Sequence, residues 1–167
     1  MVNDVYLGLG SNIGDRLIYL TYAVELIDDN PNCFLNKSSS IYETSPYGCI
    51  EGDNYYNVVI NIKTSFNPAE LLVLIKQFEL KAGRKSNGKK WSSREIDIDI
   101  LFYNNLIYND EKLNIPHPEI LLRDFVLVPL KEIAPDFVHP LTNQKIRDID
   151  HKTLENHIIH KLNYTLF

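Results

Sequence analysis

The chain has 167 residues, of which 44% are hydrophobic and 23% are charged, and its formal net charge is -5. This composition predicts one soluble globular domain over residues 1–167 and excludes a largely disordered chain. The acidic excess disfavours nucleic acid as the main partner. No apolar run approaches the roughly 18 residues of a spanning helix, and the N-terminus lacks a signal-peptide pattern. Because its two cysteines cannot form a disulfide framework, we expect a cytoplasmic protein. We expect no membrane partner, since no spanning run is present.

Hydrophobic periodicity predicts the elements of the core. Alternating apolar residues indicate strands, and apolar residues at three- and four-residue spacing indicate helices. In chain order the predictions are a strand at 5–9, a helix at about 15–29, an extended segment at 33–43, a strand at 58–62, a helix from about 68 to 82, a strand at 96–102 and helix in one or two pieces at 118–133. A short hairpin is expected at Asn104-Asn105, and residues 138–167 are only weakly patterned.

The order strand, helix, strand, strand, helix, strand is typical of a ferredoxin-like α+β sandwich. In that fold an antiparallel sheet carries two helices on one face. Asn67 is placed to cap the second helix, with Pro68 at its first position. The sequence therefore predicts an α+β fold with helices packed on an antiparallel sheet.

The sharpest local feature is R-E-I-D-I-D-I at 94–100. Side chains two apart on a strand share a face, so Asp97 and Asp99 form a carboxylate pair while the isoleucines face the core. Such a pair repels unless positive charge is nearby, and Mg²⁺ commonly takes one or two carboxylates together with substrate phosphates. The alternative interpretation is a pair of acids facing solvent on a half-exposed sheet.

A basic loop between Gly83 and Ser93 precedes that strand. Arg84 and Arg94 flank it, and it contains Trp91, the only tryptophan of the chain. A cationic loop beside a carboxylate pair suits phosphoryl transfer, because it can close over a polyphosphate and neutralise its charge. A solvated, lysine-rich loop is the alternative.

Two phosphate motifs are near misses. The segment G-R-K-S-N-G-K-K at 83–90 lies between a helix and a strand, whereas a P-loop joins a strand to a following helix. The glycines at 8, 10 and 14 miss the dinucleotide spacing, and they more readily allow a ligand to approach the backbone.

A histidine and an aromatic stretch are further candidates for ligand contacts. His117 lies between two prolines, so its ring is held in place to contact a phosphate or a base, although a structural role is the alternative. The stretch 44–57 offers Tyr47, Tyr55 and Tyr56 with Asn57 at the start of a strand. These side chains can enclose a flat heterocycle and read its edge, or the tyrosines can form a core-facing cluster. The remaining histidines are predicted to be surface residues: His139, His151, His157 and His160.

Together these segments resemble the 6-hydroxymethyl-7,8-dihydropterin pyrophosphokinase family of folate biosynthesis. The matching segments are LGLGSNIGDR at 7–16, YETSPYG at 42–48, NYYNVVI at 54–60, FELKAGR at 78–84, KKWSSREIDIDIL at 89–101, IPHP at 115–118 and RDFVLVPLKEIAP at 123–135. The family's arginine-tryptophan-glycine-proline-arginine run reads K-W-S-S-R at 90–94, so two serines replace the glycine-proline pair.

The resemblance implies an enzyme that transfers pyrophosphate from ATP to the hydroxymethyl group of the dihydropterin, giving the pterin diphosphate and AMP. Asp97 and Asp99 would hold two Mg²⁺ ions, and Arg84 and Arg94 would stabilise the transferring group. The implied pterin contacts are Thr44, Tyr47, Gly48, Tyr55, Asn57 and Phe125. The implied ATP contacts are Trp91, Ile100, Lys112, His117 and Arg123.

The expected partners are therefore these two small molecules, and a monomer is expected. A non-catalytic ferredoxin-like module that binds a nucleotide, or RNA across its sheet, would share the topology. RNA-binding sheets present aromatic and basic groups where this chain has Asp97 and Asp99, so the carboxylate pair favours the enzyme.

Overall fold

The computed structural model describes residues 2–48, 52–84 and 94–166. Within these ranges the chain forms one six-stranded sheet, a separate two-stranded hairpin and three α-helices. The strands are β1 (Asn3–Ser11), β2 (Cys33–Ser38), β3 (Ser40–Thr44), β4 (Tyr55–Thr64), β5 (Asp97–Tyr103), β6 (Tyr108–Asn109), β7 (Asn114–Ile115) and β8 (Ile158–Thr165). The helices are α1 (Arg16–Asp28), α2 (Pro68–Lys81) and α3 (Asp124–Ile133), with 3-10 turns at Ile120–Leu122, Ile146–Asp148 and His151–Thr153.

The main sheet has the strand order β5-β1-β4-β3-β8, and β2 also pairs with β4. Every pairing in it is antiparallel. β1 lies between β4 and β5 and pairs with β4 from Asn3 opposite Thr64 to Ser11 opposite Tyr56. The predicted α+β fold with an antiparallel sheet is confirmed. None of the described helices is long and apolar enough to cross a membrane.

The sheet is covered on both faces. The core under α1 and α2 includes Leu7 and Ile98, whereas Tyr6, Phe102 and Leu127 pack in a second cluster under α3. The helix predicted at 118–133 is confirmed as a 3-10 turn followed by α3. As expected, two helices, α1 and α2, pack on one face, and α3 covers part of the other face.

A β-bulge interrupts the alternation predicted for β5. Leu7 pairs with Ile100 and Tyr6 pairs with Phe102, so Leu101 is an extra residue between them. Phe102 therefore packs under α3 instead of joining the isoleucines. The Leu101 carbonyl accepts the backbone N–H of His117 at 2.9 Å, so the bulge also holds the segment that carries this histidine.

The hairpin predicted at Asn104-Asn105 lies further along the chain, at β6 and β7. Asn104 has a φ of 46° and exchanges two hydrogen bonds with Asp4: its N–H donates to the Asp4 carbonyl at 2.7 Å, and its side chain accepts the Asp4 N–H at 2.8 Å. These bonds end β5 against β1.

The weakly patterned C-terminus contributes an edge strand. β8 pairs with β3, and most of its side chains are exposed. A strand with little buried surface shows no clear alternation of apolar residues, which is why periodicity did not reveal it. The extended segment predicted at 33–43 is confirmed as β2 and β3, separated by the buried Ser39, whose hydroxyl accepts the Val59 N–H at 3.0 Å.

The start of α2 generates a prediction on stability. The Asn67 side chain accepts the Glu70 N–H at 3.0 Å, and the Glu70 carboxylate accepts the Asn67 N–H at 2.8 Å. We expect Asn67→Ala to lower the free energy of unfolding by about 1 kcal/mol, because the helix loses its capping acceptor. Urea denaturation measures this, and Asn67→Asp, which keeps an acceptor, is the matched control. An unchanged midpoint for Asn67→Ala would contradict the capping role.

Candidate active site

A pocket of about 350 Å³ lies on the sheet face that carries α3, beside the start of that helix. Gly8 and Gly10 of β1 line it, so here the sheet presents backbone without side chains. The predicted site residues that line the pocket are Thr44, Tyr47, Tyr55, Asn57, Arg94, Asp97, Asp99, His117, Arg123 and Phe125. One side of the pocket is charged and the other is largely aromatic.

Four other predicted residues that the structure describes do not line this pocket. Arg84 lies next to it, bound to Asp97. Gly48 and Lys112 are exposed, and Ile100 is buried in the core under α1 and α2, so its side chain faces away from the pocket. Trp91 lies outside the described residues, as does the rest of the basic loop at 85–93.

The two carboxylates differ in how far positive side chains offset their negative charge. Asp97 binds two arginines, Arg84 at 3.0 Å through Oδ1 and Arg94 at 2.7 Å through Oδ2. Asp99 is half-buried and has no hydrogen bond or ion pair within the described residues. Burial, followed by repulsion from Asp97, raises the pKa of Asp99 to about 6. Among the described residues Asp99 therefore has no direct ion pair, and the charges of Lys76, Arg123 and Arg94 only partly offset its own.

This arrangement fits a divalent cation with few protein ligands. The described part of the chain holds no group of three or more histidine, cysteine or acidic side chains that could bind a metal alone. A cation between Asp97 and Asp99 would complete its coordination with water and substrate oxygens, which is the usual mode for Mg²⁺. It would also lower the raised pKa of Asp99.

A buried carboxylate that the sequence analysis missed supports this end of the site. Glu79, near the end of α2, is 1% exposed and forms ion pairs with Arg84 and Lys76. Its carboxylate also accepts the N–H of Ile98, between the two aspartates, at 2.8 Å. Burial raises the pKa of Glu79. The sequence did not indicate that Glu79 is buried, because glutamates on helices are commonly exposed.

The backbone of Arg94 is held by the turn after β1. The Asn12 side chain accepts the Arg94 N–H at 2.7 Å, and the Arg94 carbonyl accepts the Asn12 N–H at 3.1 Å. This pair of bonds places the arginine beside the carboxylates. Asn12 stood in a turn, where asparagine is ordinary, so its role was not evident from the sequence.

His117 is a neutral hydrogen-bond donor at the pocket wall. Burial, and then the positive charge of Arg123, lowers its pKa to about 4. Its Nδ1 accepts the Glu119 N–H at 3.2 Å, so the neutral ring carries its proton on Nε2. Arg123 in turn forms an ion pair with Glu119.

The polar contacts of the aromatic side are made by an amide and a hydroxyl. Asn57 on β4 donates through Nδ2 to the Thr44 hydroxyl at 2.7 Å. A Cβ at Gly10 would lie 2.9 Å from the Asn57 side-chain oxygen, so glycine is required for this placement of the amide. The bond to Thr44 and the close approach to Gly10 together orient the Asn57 side chain.

Rings and a guanidinium form the remaining wall. Tyr47 and Phe125 meet edge to face with centroids 5.7 Å apart, and the Arg123 guanidinium lies 4.9 Å from the Tyr47 ring centroid. His157 packs against both rings. The prediction that the remaining histidines are surface residues was wrong for His139 and His157, which are buried.

Residues 6–135 match the family model described as 7,8-dihydro-6-hydroxymethylpterin-pyrophosphokinase (HPPK). The chain belongs to this family. The match spans the carboxylate pair, the basic loop and all of α3. It ends before the segment that contains His157.

Relatives and solved structures agree with this assignment. The chain is 42% identical over 144 residues to 2-amino-4-hydroxy-6-hydroxymethyldihydropteridine pyrophosphokinase of Aquifex aeolicus, covering 86% of this chain and 88% of the relative. It is 45% identical over 134 residues to the Bacillus subtilis protein of the same name, covering 80% of each. A crystal structure of wild-type Plasmodium falciparum HPPK-DHPS matches with a TM-score of 0.71 at 19% identity, covering 89% of this chain and 43% of that longer chain. At this identity, the last comparison shows the fold alone.

The raised pKa of Asp99 generates a prediction on stability without divalent cations. Because folding raises this pKa from 3.8 to about 6, the folded state binds more protons in this window, and stability is lost as the pH rises through it. We expect Asp99→Asn to raise the free energy of unfolding by about 1 kcal/mol at pH 7.5 and to have little effect at pH 3.5.

Urea denaturation in the presence of a chelator measures this effect at both pH values. Asp97→Asn is the control, and it should destabilise the protein at pH 7.5, because it weakens the ion pairs with Arg84 and Arg94. A destabilising effect of Asp99→Asn at pH 7.5 would show that the Asp99 charge is compensated in the free protein.

Proposed function

We infer that the chain transfers the diphosphate of ATP to the hydroxymethyl group of 6-hydroxymethyl-7,8-dihydropterin, yielding the pterin diphosphate and AMP in folate biosynthesis. The observation that carries this inference is the family match over residues 6–135, which includes the carboxylate pair in the pocket. Without a cation, half-buried carboxylates repel a polyanion, so a passive RNA-binding sheet is disfavoured. We further propose a single-domain monomer that acts in the cytoplasm.

The pterin would occupy the aromatic side of the pocket. Tyr47, Tyr55 and Phe125 offer ring faces and edges for a flat heterocycle. Asn57, oriented by its bond to the Thr44 hydroxyl, would present its amide to the polar edge of the pterin. Gly48, which lies outside the pocket lining, stays a prediction from the resemblance.

The polyphosphate would occupy the charged side, along β5. Asp97 and Asp99 would hold Mg²⁺, two ions in this proposal, and the bound metal would neutralise phosphate charge. The Nε2–H of His117 is placed to donate to a phosphate oxygen, and Arg123 adds positive charge beside it. The ATP contacts of Trp91, Ile100 and Lys112 stay predictions.

In the reaction, the hydroxymethyl oxygen would attack the β-phosphorus and release its proton to solvent, and the bond from that phosphorus to the α-β bridging oxygen would break, so the electron pair leaves on AMP. Arg84 and Arg94 would shift part of their pairing from Asp97 to the transferring group, because both arginines offer forked donors that suit phosphate oxygens. Apart from the carboxylates themselves, no base is evident near the pair among the described residues. Positioning and charge neutralisation would therefore supply most of the barrier lowering.

Substitution of the two carboxylates, with AMP release as the measurement, tests this function. AMP should be released from ATP only when Mg²⁺ and the hydroxymethyl-dihydropterin are both present. We expect Asp97→Ala and Asp99→Ala each to lower the turnover rate by roughly a thousandfold, because metal charge at the transferring phosphate is worth several kcal/mol. Glu25→Ala, on the exposed side of α1, is the control that should keep the wild-type rate. Pterin-independent AMP release, or near-normal rates in both variants, would refute the proposal.

Substitution of the two arginines should affect the turnover rate and the pterin affinity differently. We expect Arg84→Ala and Arg94→Ala to lower the single-turnover rate by roughly a hundredfold or more while changing pterin affinity by less than about threefold, because they act on the transferring group and not on the bound pterin. Calorimetry with a non-reactive ATP analogue measures the affinity. Arg147→Ala, an exposed arginine paired with Asp136, is the control. Equal losses of rate and affinity would show that the arginines hold substrate only.

A further inference from the structure

The segment beyond the family match reaches the aromatic side of the pocket through His157. This side chain is 4% exposed, and its ring centroid lies 5.3 Å from that of Tyr47 and 5.8 Å from that of Phe125. With the Tyr47–Phe125 contact at 5.7 Å, the three rings contact one another in all three pairs. His157 does not itself line the pocket, so any effect it has on a ligand must pass through the other two rings.

A buried carboxylate fixes His157 to the start of α3. Asp124 is 3% exposed, and its Oδ2 accepts the backbone N–H of His157 at 2.9 Å and of Ile158 at 3.0 Å. Its Oδ1 accepts the N–H of Phe125 at 2.8 Å. One carboxylate therefore ties the C-terminal segment to the residue that carries a pocket ring, through charge-assisted hydrogen bonds.

The other side of the segment is fixed to the loop that carries Tyr47. The His157 carbonyl accepts the N–H of Ser45 at 2.9 Å. His157 is thus held by hydrogen bonds to the chain next to each of the two rings that it contacts. This is more than general packing of a C-terminus, because both anchors lie within two residues of a pocket ring.

We propose that His157 is a positioning residue for the pterin, acting through Tyr47 and Phe125. The proposal rests on the function proposed above. A tyrosine and a phenylalanine at a pocket wall have rotamer freedom unless neighbours restrict it, and the His157 ring occupies the volume into which they would otherwise turn. Removing that ring leaves a cavity behind the wall, and a ring that turns into it no longer matches the pterin.

Pterin affinity, measured apart from ATP affinity, tests the proposal. We expect His157→Ala to weaken binding of the pterin, with a non-reactive ATP analogue present, by roughly tenfold, as the loss of two aromatic contacts implies. Affinity for the ATP analogue alone should stay within about twofold, because His117 and the carboxylates are untouched. His157→Phe restores a ring and should recover most of the pterin affinity. His160→Ala, at an exposed histidine on β8 three residues further along the chain, is the matched control.

A purely structural role predicts a different pattern. It would lower the melting temperature of His157→Ala and leave its pterin affinity within about twofold of wild type at temperatures where it is folded, and that result would overturn the proposal. Equal losses for pterin and ATP analogue would overturn it too. If the wild type neither binds the pterin nor releases AMP, the proposed function fails and this inference with it. If the wild type does both and the variant matches it, this inference alone fails.

A measurement on the wild type covers the case in which His157→Ala does not fold. Adding the pterin should shift the ring proton resonances of His157, assigned by their loss in His157→Phe, because the two rings in contact with it rearrange around the ligand. The resonances of His160 should not move. Unchanged His157 resonances at saturating pterin would overturn the proposal.

Discussion

Two carboxylates two residues apart on a half-buried strand cannot both stay ionised at low cost without positive charge beside them. This constraint determines the arrangement of side chains at the charged end of the pocket. Arg84 and Arg94 both bind Asp97, so one member of the pair is neutralised within the protein. Asp99 has no direct ion pair among the described residues, and burial and the Asp97 charge raise its pKa to about 6 although Lys76, Arg123 and Arg94 partly oppose the shift. A cation bound beside Asp99 would therefore offset negative charge that the described residues leave without a direct ion pair.

The position of β5 explains why a buried glutamate belongs to this arrangement. β5 is an edge strand of the main sheet, so alternate backbone groups on its outer side have no partner strand. The N–H of Ile98 is one of these groups, and the Glu79 carboxylate accepts it. The same carboxylate holds Arg84, which reaches Asp97. A burial that is unfavourable for an isolated acid is thus offset by an edge hydrogen bond and ion pairs.

The other end of the pocket is organised by packing and backbone hydrogen bonds. α3 begins at Asp124, whose carboxylate accepts three backbone N–H groups. One belongs to Phe125, and the other two belong to His157 and Ile158, which lie 33 and 34 residues further along the chain. Through these bonds, and the bond from the Ser45 N–H to the His157 carbonyl, the start of α3, the loop after β3 and the segment before β8 meet at the Tyr47–Phe125 wall. The pocket therefore has a charged side set by electrostatics and an aromatic side set by close packing, which suits a substrate pair of a polyphosphate and a flat ring.

The sequence by itself determined the features that depend on local period and residue type. The two-residue period of a strand placed Asp97 and Asp99 on one face, the Asn67-Pro68 pair marked the start of α2, and the motifs identified the family. Only the tertiary structure decided the bulge at Leu101, the edge strand β8 and the partners of Glu79 and His157. A bulge depends on the register with a neighbouring strand. An exposed edge strand has no buried face, so its sequence shows no alternation of apolar residues. A buried polar side chain is recognisable only from groups that are distant in sequence, because local periodicity shows which face is buried but not what meets it there.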